Sequence, residues 1–303
     1  SKRNLKLPEI NRNQAMKPGN GKIIPNPMGS ARGLHYCVNG QTIIALPGVP
    51  GEMKEMMTAT ILPWIKSQSS QRLIVKTIRT TGIMESGLAE KMGDIVNSID
   101  KNIKIAFLPQ FTGVDIRVSG TDKTVVDEKV NEINSHVSKY IYGQDKDRLE
   151  EIIGQMLKEK TLTLTTAESC TGGLVGHRLT NIPGSSEHYL GGIISYSNKV
   201  KENNLGVDKS TLEQFGAVSS ETAKEMAENV RSKLNSDLGL SITGIAGPGG
   251  GTDEKPVGLT YIALADGKNT RVKEFRFLSD RMLNKNASAQ TALNMVRLYL
   301  LNE

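Results

Sequence analysis

Four stretches in the second half of the chain concentrate hydroxyls, glycines and ionisable groups, each where a strand pattern ends. The first, Thr166-Ala167-Glu168-Ser169-Cys170-Thr171-Gly172-Gly173, runs from a strand into a helix through small residues. Such a turn exposes backbone N–H groups at a helix N-terminus, which suits a phosphate or the oxyanion of an acyl transfer. Ser169 and Thr171 add hydroxyls there, and Glu168 a carboxylate. The same residues also read as an ordinary helix start, with Ser or Thr capping its first N–H groups. The second stretch is Gly184-Ser185-Ser186. In the third, Ser195-Tyr196-Ser197-Asn198 followed by Lys201 places a phenol and an amine near one rim. A lysine acts as a general base only when burial or a neighbouring charge takes its pKa well below about 10.4. Otherwise Lys201 is a solvated surface lysine. The fourth, Ser241-Ile242-Thr243-Gly244-Ile245-Ala246-Gly247-Pro248-Gly249-Gly250-Gly251, empties a strand into a loop whose backbone can approach a ligand closely. It carries neither the Gly-Lys-Ser/Thr of a P-loop nor a dinucleotide fingerprint, and a plain hairpin loop is its alternative. Asp280-Arg281 offers a guanidinium to a phosphate or carboxylate, or simply a surface ion pair.

Weaker candidates lie elsewhere. His35, His136, His177 and His188 have no metal-ligand spacing, and His177 reads as a helix-surface residue. Cys170 is a thiol beside Ser169 without a visible His–Asn arrangement to activate it. Ser98-Ile99-Asp100-Lys101 matches S-x-x-K by chance in a polar turn. Gly48-Val49-Pro50-Gly51 matches GxxG, but its proline and preceding strand make a poor nucleotide clamp.

The elements that must position these groups fall into three segments, 1–68, 69–143 and 144–303. In the first, QTIIAL reads as a strand and LPGVPGEMKEMM as a turn entering a helix. The second reads β–α–β–β–α, a small split α+β unit. GQDKD marks the boundary near Gly143, where Asp147 and Glu150 form a capping box with Asp147 as N-cap. Beyond it, alternating strands and helices predict a layered α/β domain with a mixed sheet. A last helix carries Ala289, Leu293, Val296 and Leu300 on one face. The fold class is thus multidomain α/β and α+β.

The 303 residues carry a net charge of +6, with 19 Lys+Arg against 12 Asp+Glu up to residue 142 and 19 against 20 thereafter. Any attraction for nucleic acid therefore belongs to the first half, and one Trp and five Phe supply few stacking platforms. No apolar run is long enough for a membrane helix, and no secretory h-region opens the chain. Two cysteines in unlike contexts exclude a disulfide framework or a cysteine zinc site, and predict a reducing, cytoplasmic setting.

In order, TTAESCTGG, NIPGSSEHY, ISYSNKVK, FGAVS and SITGIAGPGGGTDEKPVG resemble the C-terminal domain of the CinA competence/damage-inducible family. That domain is similar to stand-alone nicotinamide-mononucleotide deamidases, and the resemblance runs from about Asp147 to Glu303. The middle segment resembles the family's KH-like connecting module. Residues 1–66, with EINRNQA, IPNPMGSARG and LPGVPGEMK, resemble the end of its molybdopterin-binding-like domain, which the family associates with ADP-ribose pyrophosphatase activity. The glycine-rich loop and acidic metal-binding residues that open that domain are not in this sequence. The pyrophosphatase site, with its divalent metal and potassium, is therefore expected to be incomplete. The resemblance implies hydrolysis of the carboxamide of nicotinamide mononucleotide to nicotinate mononucleotide and ammonia, by a Ser/Lys/Tyr set without a metal or other cofactor. Lys201 would be the base and Tyr196 would relay or orient its proton. Ser169 would be the nucleophile, facing N–H donors near Gly172 and Gly173, with Ser186 its competitor. Thr243, Gly244, Gly247 and Gly249 would bind ribose or phosphate, with Arg281 as anion partner and Glu168, Thr171 and Asn198 completing the substrate set. A homodimer is implied; ADP-ribose as a ligand and nucleic-acid binding through the basic half are the rival readings.

Overall fold

The computed structural model describes residues 19–69, 72–97, 102–110, 113–277 and 280–302. The motif residues 9–15 and the S-x-x-K at 98–101 lie outside them. The chain divides into two compact units, 1–72 and 73–303.

The first unit holds a three-stranded antiparallel sheet, β1 (Lys22–Ile24), β2 (Gly33–Val38) and β3 (Gln41–Ala45). The sequence pattern had marked only β3; β1 and β2 are short and only partly buried, so their apolar alternation is weak. Pro50 then starts α1 (Pro50–Met56), fitting the first helical position where no N–H is needed. A wide turn over Met57–Ile61 leads to α2 (Leu62–Gln68). Ile24, Met56 and Ile61 form a small core.

The second unit opens with a four-stranded antiparallel sheet in the order β5-β6-β4-β7: β4 (Ile74–Thr80), β5 (Ile103–Gln110), β6 (Gly113–Gly120) and β7 (Ile141–Gln144). Helices α3 (Glu85–Lys91), α4 (Gly93–Asn97) and α5 (Lys123–Val137) pack on it over Ile78, Leu88, Ile116, Val126 and Ile133. The fourth strand, β7, corrects the five-element pattern. It pairs with β4, more than sixty residues upstream, and nothing local marks it. The capping box is also overturned. The helix α6 (Leu149–Glu159) has Arg148 at its N-cap with no side-chain bond, whereas the Asp147 carboxylate accepts the Gln144 N–H at 2.8 Å. Asp147 tightens the turn leaving β7 instead of capping a helix.

The remaining elements build a mixed five-stranded sheet in the order β12-β11-β10-β8-β9. Its strands are β8 (Leu164–Glu168), β9 (Tyr189–Ile194), β10 (Leu238–Gly244), β11 (Leu259–Ala265) and β12 (Thr270–Arg276). β9, β8 and β10 run parallel, while β11 and β12 return antiparallel. Helix α7 (Leu174–Thr180) joins β8 to β9; α8 (Asn198–Val200), α9 (Lys209–Phe215) and α10 (Ser220–Lys233) carry the chain over β8 to β10. β10 shows why both faces are covered. Leu238, Leu240 and Ile242 pack toward α6, α7 and α11 (Arg281–Leu300), while Ser241 bonds the Ala223 carbonyl of α10 from the other face. Ala289, Leu293, Val296 and Leu300 of α11 are buried. Arg297, equally buried, ties α11 to the four-stranded sheet and the turn before β7 by donating to the carbonyls of Ile141 (2.9 Å) and Lys139 (2.6 Å). No helix among the described residues is long and apolar enough to cross a membrane.

Candidate active site

The connections leaving β8 and β10 run to opposite sides, toward β9 and β11, so a crevice opens at the carboxyl ends of β9, β8 and β10, the usual ligand position in such sheets. Three of the four motif stretches emerge there: Ser169 after β8, Tyr196 and Lys201 after β9, and the glycine loop after β10. Together they line a cleft of about 270 Å³ with Cys170, Ala217, Val218 and Arg281.

Lys201 lies at its floor. Ser197 caps α8 by accepting the Val200 N–H, and the wide helical turn Lys201–Leu205 follows, directing the lysine inward. The side chain is 1% exposed, among the most buried of the described residues. Its Nζ donates to the Ser195 carbonyl at 2.8 Å and reaches Ser169 Oγ at 3.0 Å. Burial lowers its pKa from 10.5 to about 8. The one charge that would oppose this is the Cys170 thiolate, but that thiol, itself buried, is pushed up to about 12 and stays neutral in the neutral range. Desolvation therefore decides. A solvated surface lysine and a nucleophilic Cys170 are both set aside, the first by burial and the second by its high pKa.

Glu168 does other work than binding a substrate. Its buried carboxylate accepts the N–H groups of Gly173 (2.9 Å), Val175 (3.1 Å) and Gly176 (2.8 Å), so it caps α7. Gly172 N–H is also engaged, by the Ser169 carbonyl at 3.1 Å. The two glycine amides expected to face an oxyanion are thus occupied within the turn. Thr171 is buried with its hydroxyl unpartnered among the described residues, and does not line the cleft; the buried Ser195 hydroxyl is likewise unpartnered among them.

Tyr196 lines the cleft but is 59% exposed and bonds Arg281, whose Nη2 donates to its hydroxyl at 2.7 Å. Among the described residues no bond joins Tyr196 to Lys201, so the expected proton relay is replaced by a rim contact. Arg281 Nη1 donates to the Gly247 carbonyl at 2.6 Å, holding the glycine loop to the end of β9. At Gly247, φ is +88° and a Cβ would stand 2.6 Å from Val257, so the loop needs glycine there. Gly244 and Gly249 line the same wall. Thr243 also lines it, although its hydroxyl donates to the Ala217 carbonyl at 2.6 Å, fixing the FGAV turn. Lys255, which the sequence reading passed over, secures that turn from outside by donating to the carbonyls of Phe215 (2.6 Å) and Val218 (2.8 Å). Its signal was its place in the conspicuous string from Ser241 to Gly258.

Two expected residues stand apart. Asn198 is exposed at the start of α8 and outside the cleft lining. Ser186 is exposed on the short helical turn Ser185–Glu187, before β9. The register pairs Leu164 with Tyr189 and Glu168 with Ile194, so Ser186 sits at the other end of the sheet, about 13 Å along the strand at ~3.3 Å per residue. The structure brings Ser169, not Ser186, to Lys201. The GxxG residues fall at the entry to α1, and His177 is exposed on α7. Among the described residues, no group of three His, Cys, Asp or Glu is placed to hold a metal ion.

Residues 146–300 match the CinA C-terminal domain, and residues 75–143 the damage-inducible protein CinA KH domain. The chain is 44% identical over 298 residues to a competence-damage inducible protein of Halothermothrix orenii, covering 96% of this chain and 71% of that one. It is 43% identical over 309 residues to a CinA-like protein of Gloeothece citriformis, covering 98% and 73%. A crystal structure of a CinA superfamily protein from Klebsiella pneumoniae, 28% identical, covers 52% of this chain and all of its own, with a TM-score of 0.50. The chain belongs to the CinA competence-damage inducible protein family.

Proposed function

We propose that the cleft hydrolyses the carboxamide of nicotinamide mononucleotide, giving nicotinate mononucleotide and ammonia. The observation that carries this reading is a buried lysine, with a pKa near 8, whose amine stands 3.0 Å from a serine hydroxyl at the carboxyl ends of three parallel strands. A neutral amine has two N–H donors and one lone pair. One N–H is held by the Ser195 carbonyl, which turns the lone pair toward Ser169.

Ser169 Oγ attacks the amide carbon while its proton passes to Lys201 Nζ. The tetrahedral intermediate collapses as the C–N bond breaks, and the Lys201 ammonium returns the proton to the departing nitrogen, so ammonia leaves. Water, deprotonated by the neutral lysine, then attacks the nicotinoyl ester; the proton returns to Ser169, and nicotinate mononucleotide is released. With the Gly172, Gly173 and Ile245 amides engaged, the loop backbone over Ala246–Gly250, apart from Pro248, is the wall left among the described residues to supply donors to the oxyanion. No step needs a metal, because the base is an amine. The reading is tested by incubating the chain with nicotinamide mononucleotide and measuring both products. Equal amounts are expected, lost in Ser169→Ala and in Lys201→Ala. Full turnover by Lys201→Ala would sink the mechanism.

A further inference from the structure

Around this cleft the charge is unbalanced. No Asp or Glu is among its lining residues, and neither Lys201 nor Arg281 makes an ion pair among the described residues. A third cation follows on α11, outside the cleft lining itself. Lys285 follows Arg281 by four residues on α11, so the two side chains share one face of the helix. Its Nζ lies 3.8 Å from where a Cβ on Gly172 would stand, over the turn that carries Ser169. Gly172 has φ +62°, and its lack of a side chain leaves that space open. Lys285 is half-buried and makes no ion pair or hydrogen bond among the described residues, whereas both terminal nitrogens of Arg281 already hold Gly247 and Tyr196. Cations gathered without a counter-charge repel one another, and an anion bridging them relieves that repulsion.

We infer that Lys285, one helical turn beyond Arg281, is a specificity residue that receives the phosphomonoester of the substrate between α11 and the Gly172 turn. The inference rests on the deamidase reading. It deepens it by making the phosphate, and not the nicotinamide ring alone, the group that the site selects. Arg281 keeps the rim in place, and the uncommitted ammonium of Lys285 supplies the charge-assisted donors.

The test compares nicotinamide mononucleotide with nicotinamide riboside, which lacks the phosphate. In Lys285→Gln, the ratio of kcat/KM for nucleotide over riboside should fall about tenfold or more, carried by KM for the nucleotide. Lys285→Arg should restore most of it. A ratio unchanged in Lys285→Gln, or activity falling equally on both substrates, overturns the inference. If the wild-type chain releases no ammonia from either compound, the deamidase reading falls and the subsite is decided by titrating ribose 5-phosphate. Binding weakened about tenfold in Lys285→Gln then upholds it, and equal binding overturns it.

Discussion

The lysine proposed as the base should also cost the fold stability, and both effects have a defined pH dependence. With a pKa of about 8, Lys201 is neutral in about one molecule in eleven at pH 7; at 10.5 it would be neutral in about one in three thousand. Burial thus enlarges the competent fraction about 300-fold. Below pH 8, kcat/KM for ammonia release should rise tenfold per pH unit, then level off above 8. Lys201→Met should reduce it by about 10² to 10⁴ and remove that inflection. The stability sign follows from the same shift. The folded pKa lies below the unfolded one, so between 8 and 10.5 the unfolded chain binds more protons and stability climbs with pH. Below pH 8 the folded state carries the full cost of a buried ammonium, on the order of 3 kcal/mol. Lys201→Met, of similar length and without charge, should therefore melt above the wild type at pH 7. The gap should narrow as pH rises from 8 toward 10. Thermal melts across pH 6 to 10, beside the rate profile, measure both. A wild-type rate flat from pH 6 to 8, or a Lys201→Met protein less stable than wild type at pH 7, would refute the assignment of desolvation as the cause.

Other consequences are more local. Glu168→Gln replaces the carboxylate that gathers three amides of the 173–176 turn and should lower stability by about 2 kcal/mol, read as denaturant midpoint at constant m-value. An unchanged midpoint would count against the cap. Gly247→Val forces a branched side chain into positive φ and against Val257, so nucleotide turnover should fall at least tenfold while the far-ultraviolet spectrum is kept. Cys37 is exposed and Cys170 buried with its thiol pushed up to about 12, so iodoacetamide at pH 8 should label one thiol in the native chain and two after unfolding. With an amine as the proposed base, ammonia release should persist in excess EDTA; its loss would point to a different chemistry.

What could be read from the residues alone follows the range of the forces involved. The strands and helices around the cleft are marked by local periodicity, and turns rich in Gly and Ser mark where they end, so the meeting of the Ser169, Lys201 and glycine-loop segments follows once β9, β8 and β10 are parallel neighbours. Side-chain partners, and pairings between residues far apart in sequence, are different. Whether Glu168 faces a ligand or the first amides of α7 depends on a side-chain rotamer within one turn, and residue types alone fit both. Tyr196 stands five residues before Lys201, yet its partner is Arg281, eighty-five residues on, fixed only by how α11 packs across β10 and β11. β7 is four residues long and half-buried throughout, with no alternation to reveal it. The same logic explains why Lys201 was ambiguous and Lys255 invisible. A lysine's role is set by how much water reaches its amine, and hydration is a property of the assembled cleft. In Lys201 the methylene stem fills space among packed residues and the amine finds two oxygens. In Lys255 the amine finds two carbonyls nearer the surface and serves as a clasp. Identical side chains thus divide into proposed base and brace according to burial, and the pH profile of the first tests that division in solution.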